Sequence, residues 1–152
     1  MQIRKATNRD AEFIHKMAND YAASGFMLPR SLSSIYESIR DYVIVEKDGE
    51  AIAAGALKII WNDLAEIRTL AVSQEYMRQG VGTSVVEYFL KEAEQMGLNQ
   101  VFTLTYVPEF FRACGFHEVS KDKMPQKFWM DCVHCPKFPH CDEVCMVKEL
   151  VI

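Results

Sequence analysis

No stretch of this 152-residue chain stays apolar for the ~20 residues that a helix needs to cross a bilayer. No signal peptide opens it, so a cytoplasmic location is the default expectation and a membrane partner is not expected. Basic residues are not in excess: 17 Lys and Arg stand against 21 Asp and Glu, for a net charge of −4. That balance argues against general nucleic-acid binding. Cysteine is absent until Cys114, and four of the five cysteines crowd into positions 132–145. In a cytosolic chain this placement suggests metal or redox chemistry before structural disulfides. There is no internal repeat, low-complexity tract or linker before residue 120. A length of 152 residues with 49% hydrophobic residues describes one domain able to bury a core.

The chain is organised around EIRTLAVSQEYMRQGVGTSVVEYFLKEAEQM, residues 66–96. It reads as a buried strand, a glycine turn and a long helix. Val81, Val85, Val86, Phe89, Leu90, Ala93 and Met96 recur at helical spacing, and Gly97 supplies the stop. Glycine lets a backbone approach a ligand closely, and the first N–H groups of a helix, with their dipole, attract anions. Arg78–Thr83 is therefore a candidate pyrophosphate cradle, although its spacing is neither GxGxxG nor GxxxxGK[ST]. The competing reading is a strand–helix turn whose glycines serve packing.

Elsewhere the pattern predicts a strand at Met1–Lys5 and a helix with a Thr7–Asp10 capping box and a buried stripe of Phe13, Ile14, Met17 and Tyr21. After Pro29, a serine at 31, 33 or 34 caps a second helix whose apolar face is Leu32, Ile35, Tyr36 and Ile39. Lys47-Asp48-Gly49 turns a hairpin of Val43–Val45 and Ile52–Ile60. In the next strand, 64–72, period two places Glu66, Arg68 and Leu70 on one face unless a bulge intervenes. Glu66 is either a base toward an amine or an ion-pair partner of Arg68. A strand at 99–107, a short helix ending at Gly115 and a last strand from Phe116 complete an α+β layout.

The stretch EIRTLAVSQEYMRQGVGTSVV resembles the acetyl-CoA motif of the GNAT superfamily of N-acetyltransferases, (Q/R)-x-x-G-x-(G/A). Gly80 and Gly82 match its glycines, and Met77 departs from the expected first residue. The resemblance spans residues 1 to about 119. It implies a GNAT fold, a mixed and mainly antiparallel twisted sheet flanked by helices. It also implies acetyl-CoA as co-substrate, held along Leu70, Ala71 and Val72 and by Met77, Arg78, Gln79, Gly80, Val81, Gly82 and Thr83. EFFRACGF is similar to the superfamily's closing FYxxxGF, with Phe111 where a tyrosine often protonates the leaving thiolate. Tyr106 or a water is then the expected donor, unless the thiolate needs none.

LPRS, AEIRTLAV, FTLT, EFFRACGF and MPQKFWMDC also resemble the acetyltransferase domain of bacterial N-acetylglutamate synthases, in a short form without a kinase domain. That resemblance implies L-glutamate, a small amino acid, as acceptor in the first step of arginine biosynthesis, with Arg30, Arg68 and Lys127 holding its carboxylates, Ser31 completing the Arg-Ser pair at the substrate and Glu66 as base. By analogy with related domains a homodimer is expected. An acetyltransferase for another amine, or a non-catalytic acetyl-CoA or zinc-binding module, are the alternatives. Finally, Cys132, Cys135, Cys141 and Cys145 read C-x2-C-x5-C-x3-C. Four thiolates suit tetrahedral zinc, an iron–sulfur cluster also accepts four, and a redox pair or a mere accumulation of thiols are the remaining readings. The expected organisation is one domain over 1–152, with a core at 1–119 and a cysteine-rich extension at 120–152.

Overall fold

The computed structural model describes residues 1–25, 27, 29–121 and 143–150. Strand β1 is Gln2–Lys5, helix α1 Ala11–Ala23, helix α2 Leu32–Glu37, β2 Tyr42–Lys47, β3 Glu50–Trp61 and β4 Leu64–Val72. They are followed by α3 Val81–Gln95, β5 Gln100–Thr105, α4 Pro108–Ala113, β6 His117–Val119 and β7 Val144–Glu149. The seven strands form one sheet in the order β1-β2-β3-β4-β5-β7-β6. Every neighbouring pair is antiparallel except β4 with β5. The mixed, mainly antiparallel α+β sheet expected from the sequence is what forms.

Period-two strands bury both faces of this sheet, because helices cover each. On one face Val43, Val45, Ala53, Ala65, Ile67, Val101 and Met146 pack against Val81, Val85, Val86, Phe89 and Ala93 of α3 and against Phe111 and Phe116. On the other, Tyr42, Ile44, Ala54 and Ala56 meet Ala11 and Ile14 of α1 and Ile35 at α2. Helix α3 ends as its sequence predicts. Gly97 takes φ 78°, its N–H reaches the Glu94 carbonyl at 3.1 Å, and the Leu98 N–H reaches Ala93 at 3.0 Å. Met96 and Tyr36, expected on buried faces, are instead 54% and 43% exposed, each near the end of its helix where the apolar stripe runs past the sheet.

Local signals at the other end of the chain hold as well. The Thr7 N–H donates to Asp10 Oδ2 at 2.8 Å, and Asp10 also receives two hydrogen bonds from Arg4, at 2.8 and 2.9 Å. The capping carboxylate thus ties β1 to α1, while Arg4 also pairs with Glu46 of β2. In the hairpin, Asp48 and Gly49 both take positive φ, 54° and 78°, the conformation that a two-residue turn between right-twisted strands demands.

One element differs outright. The strand from Phe116 is not the last: β7 returns and inserts between β5 and β6, pairing Thr103 with Met146 and Glu118 with Met146 on its two sides. Residues 144–149 therefore belong to the core sheet and not to an appended tail. Cys145 lies on this strand at 1% exposure, packed with Leu64, Phe102 and Val147.

Candidate active site

The site is built on the parting of two parallel strands. β4 and β5 pair only at Leu64–Gln100, Ala65–Val101 and Glu66–Phe102. Beyond that point the ladder stops although both strands continue. At the crotch the Thr103 hydroxyl donates to the Ile67 carbonyl at 3.0 Å, which satisfies a buried acceptor that the missing ladder leaves behind. The β4 backbone past Ile67 therefore presents an unladdered edge toward β5.

A bulge then turns this edge. Ala54 pairs with Ala71 and Ala56 with Arg68, so Gly55 faces two residues, Thr69 and Leu70. Thr69 takes a φ of 53°, rare for a β-branched residue, and Tyr42 Oη donates to its hydroxyl at 3.4 Å. The extra residue swaps the sides. Glu66 and Arg68 point to the α1/α2 face. Leu70 points to the α3 face, where a Cβ on Gly55 would lie 3.3 Å from its Cδ1, from Val85 Cγ1 and from Phe89 Cε2. The period-two expectation of Glu66, Arg68 and Leu70 on one face gives way here, for the reason anticipated.

Past β4 the chain makes a short 3-10 turn at Gln74–Tyr76, Arg78 takes φ 62°, and Gly80 takes φ 84° as the residue before α3. The Gln79 side chain donates to the Glu75 carbonyl at 3.0 Å and so braces the loop. Ser84 donates its backbone N–H and its hydroxyl to the Gly80 carbonyl, both at 3.0 Å. The N–H groups of Val81, Gly82 and Thr83 come first in the helix, where they have no acceptor within it, and they point with the helix dipole out of its N-terminus. At Gly82 a Cβ would lie 3.1 Å from Phe110 Cζ, so this glycine allows α4 to close on α3. The packing reading of the glycine turn is thus seen at Gly82, and the helix N-terminus that Gly80 opens is where the cradle is expected. Met77 and Arg78 are exposed on the loop.

On the α1/α2 face, Arg68 Nε donates to Glu66 Oε1 at 2.5 Å, with both side chains largely buried. Lys58 is the cross-strand neighbour of Glu66. Asp41 faces this group: burial pushes its carboxyl up, against the opposing pull of Lys58 and Arg68. A cluster of mixed charge therefore lies beside the parted strands. Arg30 precedes α2, and its carbonyl accepts from the Asn19 side chain at 3.2 Å, which fixes the loop to α1. Ser31 is the N-cap of α2, its hydroxyl accepting from the Ser34 N–H at 3.1 Å. Its oxygen is thus engaged in helix capping.

Phe111 is 4% exposed and packs edge-to-face with Phe110 at 5.0 Å and Phe116 at 5.3 Å, a purely apolar position. Cys114 packs against the α3-side core, and burial pushes its thiol up. Tyr106 is half-buried just past β5. Lys127, Cys132, Cys135 and Cys141 lie outside the described residues. Cys145, the fourth expected thiolate, sits in an apolar cluster. Among the described residues no group of three or more His, Cys, Asp or Glu is placed to hold a metal ion.

Sequence reasoning missed Tyr21. Read as a member of an apolar stripe, it reaches from α1 to the edge of β4, where its hydroxyl donates to the Val72 carbonyl at 2.7 Å and accepts from the Val72 N–H at 2.9 Å. The available signal was a hydroxyl at the end of an otherwise apolar face, since a tyrosine there needs a polar partner. Thr103, which closes the crotch, was likewise read only as a strand residue.

The comparisons with known proteins agree with this geometry. Residues 6–119 match the model of the acetyltransferase (GNAT) family. An uncharacterized N-acetyltransferase of Chlorobaculum tepidum is 40% identical over 97% of this chain and 96% of its own. An amino-acid acetyltransferase of Mycobacterium tuberculosis is 33% identical over 77% of this chain and 68% of its own. Among solved structures, N-acetylglutamate synthase of Neisseria gonorrhoeae, complexed with coenzyme A and N-acetyl-glutamate, superposes with a TM-score of 0.90 at 26% identity. That match covers 99% of this chain and 35% of the synthase. A Mycobacterium tuberculosis protein in complex with CoA and NLQ superposes with a TM-score of 0.87 at 25% identity, over 99% of this chain and 100% of its own. No described helix is long and apolar enough to cross a membrane. With residues 6–119 matching the family model on this fold, the chain belongs to the GNAT family and is an acetyl-CoA-dependent acetyltransferase.

Proposed function

We propose that the acceptor is L-glutamate, acetylated on its α-amine as the first step of arginine biosynthesis in the cytoplasm. The observation that carries this reading is the buried Arg68–Glu66 pair beside the parted strands, with Arg30 as a second guanidinium just before α2. A substrate with two carboxylates and one amine asks for cations to hold the acids and a carboxylate to take the amine proton. Guanidinium groups suit the first task because they grip carboxylates through parallel N–H donors. The relatives named amino-acid acetyltransferase and the synthase solved with N-acetyl-glutamate support the same class.

In this mechanism the pyrophosphate of acetyl-CoA lies on the N–H groups that open α3, and its arm runs along Leu70–Val72. Backbone donors on that edge polarise the thioester carbonyl, which is worth roughly 3 kcal/mol of barrier for one donor of this type. Arg68 and Arg30 hold the glutamate carboxylates, with Lys127 as the third cation. Glu66 takes the amine proton, directly or through a water, and the amine attacks the thioester without a covalent enzyme intermediate. Arg68, whose Nε lies 2.5 Å from Glu66 Oε1, orients that carboxylate at the same time. Structural zinc on Cys132, Cys135 and Cys141, without the buried Cys145, belongs to this proposal, and elemental analysis of the purified chain tests it: a metal-free chain with full activity removes it.

The test of the substrate is acetyl-CoA turnover, followed as thiol release, across the twenty amino acids. Preference for glutamate, with a KM for glutamate raised at least tenfold in Arg30→Ala, is the expected result. Preference for a non-acidic amine refutes the assignment and leaves the fold and co-substrate standing.

A further inference from the structure

We propose that Tyr21 is the catalytic proton donor to the leaving thiolate, and that in the empty enzyme its hydroxyl holds the place on the β4 edge that the acetyl-CoA arm takes over. The inference rests on acetyl transfer along the Leu70–Val72 edge and is independent of which amine accepts.

Three observations meet here. First, the closing helix offers no acid. Phe111 stands where a tyrosine would, buried and locked between Phe110 and Phe116. Second, Tyr21 brings a phenol to the parted strands from the opposite side of the sheet. Its oxygen lies 2.7 Å from the Val72 carbonyl oxygen and 2.9 Å from the Val72 nitrogen. The Val72 N–H and carbonyl point off β4 toward the gap, since the flanking Ser73 N–H is spent on Ile52 of β3 at 2.8 Å. These are the groups that an extended amide-bearing arm would pair with, so the arm and the phenol cannot both occupy them. Third, the ring is anchored on a helix fixed elsewhere. Asn19 ties α1 to the α2 loop, and the Ser73 hydroxyl meets Met17 Sδ at 3.9 Å. On this proposal the displaced hydroxyl stays beside the arm, within reach of the thioester sulfur.

Burial pushes the pKa of the Tyr21 phenol up, against a smaller opposing effect of its hydrogen bond to Val72. The phenol is consequently protonated at neutral pH, as a donor must be. The charged residues nearest on its helix, Lys16 and Asp20, pair with each other at 3.0 Å on the exposed side. The step balances simply. The amine nitrogen bonds to the thioester carbon, the C–S bond breaks, and sulfur takes the Tyr21 proton. The proton lost by the nitrogen passes through Glu66 to solvent, and solvent reprotonates the phenolate.

The test is steady-state kinetics of Tyr21→Phe from pH 6 to about 10.5, just past an ordinary tyrosine pKa, with coenzyme A affinity and thermal melting as controls. The expected result is a kcat about 100-fold lower, within the range of a positioned general acid. The KM for acetyl-CoA falls several-fold, because nothing competes for Val72, and the decline of kcat at high pH disappears. An unchanged kcat with that decline retained overturns the proposal and leaves Tyr21 as a plug only. If Tyr21→Phe fails to fold, a fluorinated tyrosine placed at position 21 keeps the shape and lowers the phenol pKa. The high-pH decline of kcat must then move to lower pH; a decline that stays in place overturns the proposal. Acceptor preference is read separately, so failure of the glutamate assignment leaves this outcome distinguishable.

Discussion

Adding one methyl group at Gly82 tests how the glycine turn serves both packing and ligand. The new Cβ would lie 3.1 Å from Phe110 Cζ, 3.3 Å from Phe110 Cε1 and 3.9 Å from Val72 Cγ2. Carbon atoms settle at about 3.5–4.0 Å, so the ring must retreat by roughly half an ångström. It cannot do so alone, because it packs edge-to-face on Phe111, which packs in turn on Phe116. Overpacking of this kind costs about 1–3 kcal/mol. Replacing glycine by alanine in a helix returns up to about 1 kcal/mol, less in a first turn. The net expectation for Gly82→Ala is a loss of about 1 kcal/mol in urea unfolding, or about 2–4 °C in Tm. The methyl also narrows the passage between Val72 and Phe110, so the KM for acetyl-CoA should rise about tenfold, equivalent to about 1.4 kcal/mol. Gly80→Ala separates the two effects. Nothing lies within 4 Å of its Cβ, but its φ of 84° costs an L-residue about 1–2 kcal/mol. A Gly82→Ala protein that gains stability and keeps its KM refutes this account of the turn.

Glu66→Gln keeps the shape and one acceptor for Arg68 but removes the base; kcat should fall about 100-fold with little change in the KM for acetyl-CoA, and full activity would assign the base elsewhere. Arg4 holds the Asp10 carboxyl below the usual range, with help from the Thr7 N–H. A depressed folded pKa means that this contribution is present above the unfolded value and lost as pH falls through the folded one. Asp10→Asn should therefore cost about 1–2 kcal/mol at pH 7, discounted for a partly exposed Arg4. In urea titrations the difference from wild type should vanish at strongly acid pH, and a difference that persists there contradicts the linkage. Thr103→Val removes the only side-chain donor described for the Ile67 carbonyl at the crotch. It should destabilise by about 1–2 kcal/mol, seen in the same titration, and equal stability would show that the carbonyl is satisfied otherwise.

Local chemistry was legible where one segment suffices to specify it. The 3.6-residue recurrence of Val81, Val85, Phe89 and Ala93 sets α3, and Gly97 ends it through a positive φ that only glycine adopts freely. Asp48-Gly49 turns the hairpin and Gly80 opens α3, because the positive φ at these points depends on the residue itself. The pairing of Glu66 with Arg68 followed from their spacing along one strand face.

Tertiary structure decided what depends on partners distant in the chain. The bulge at Thr69 is set by the register against β3, and it alone puts Leu70 opposite Glu66 and Arg68. β7 is a strand because β5 and β6 leave it a slot, so Cys145 became a packing residue of the sheet although its neighbours in sequence look like a metal knuckle. Tyr21 carries the same lesson into the site. Its position in an apolar stripe is a property of α1, but the Val72 peptide it meets, 51 residues away, exists as a partner only because β4 and β5 part. Sequence by itself thus determined the elements up to β6, the glycine turn and the family resemblance. Which backbone groups face the gap, and which side chain reaches them, came from strand register and divergence, and no local pattern encodes those.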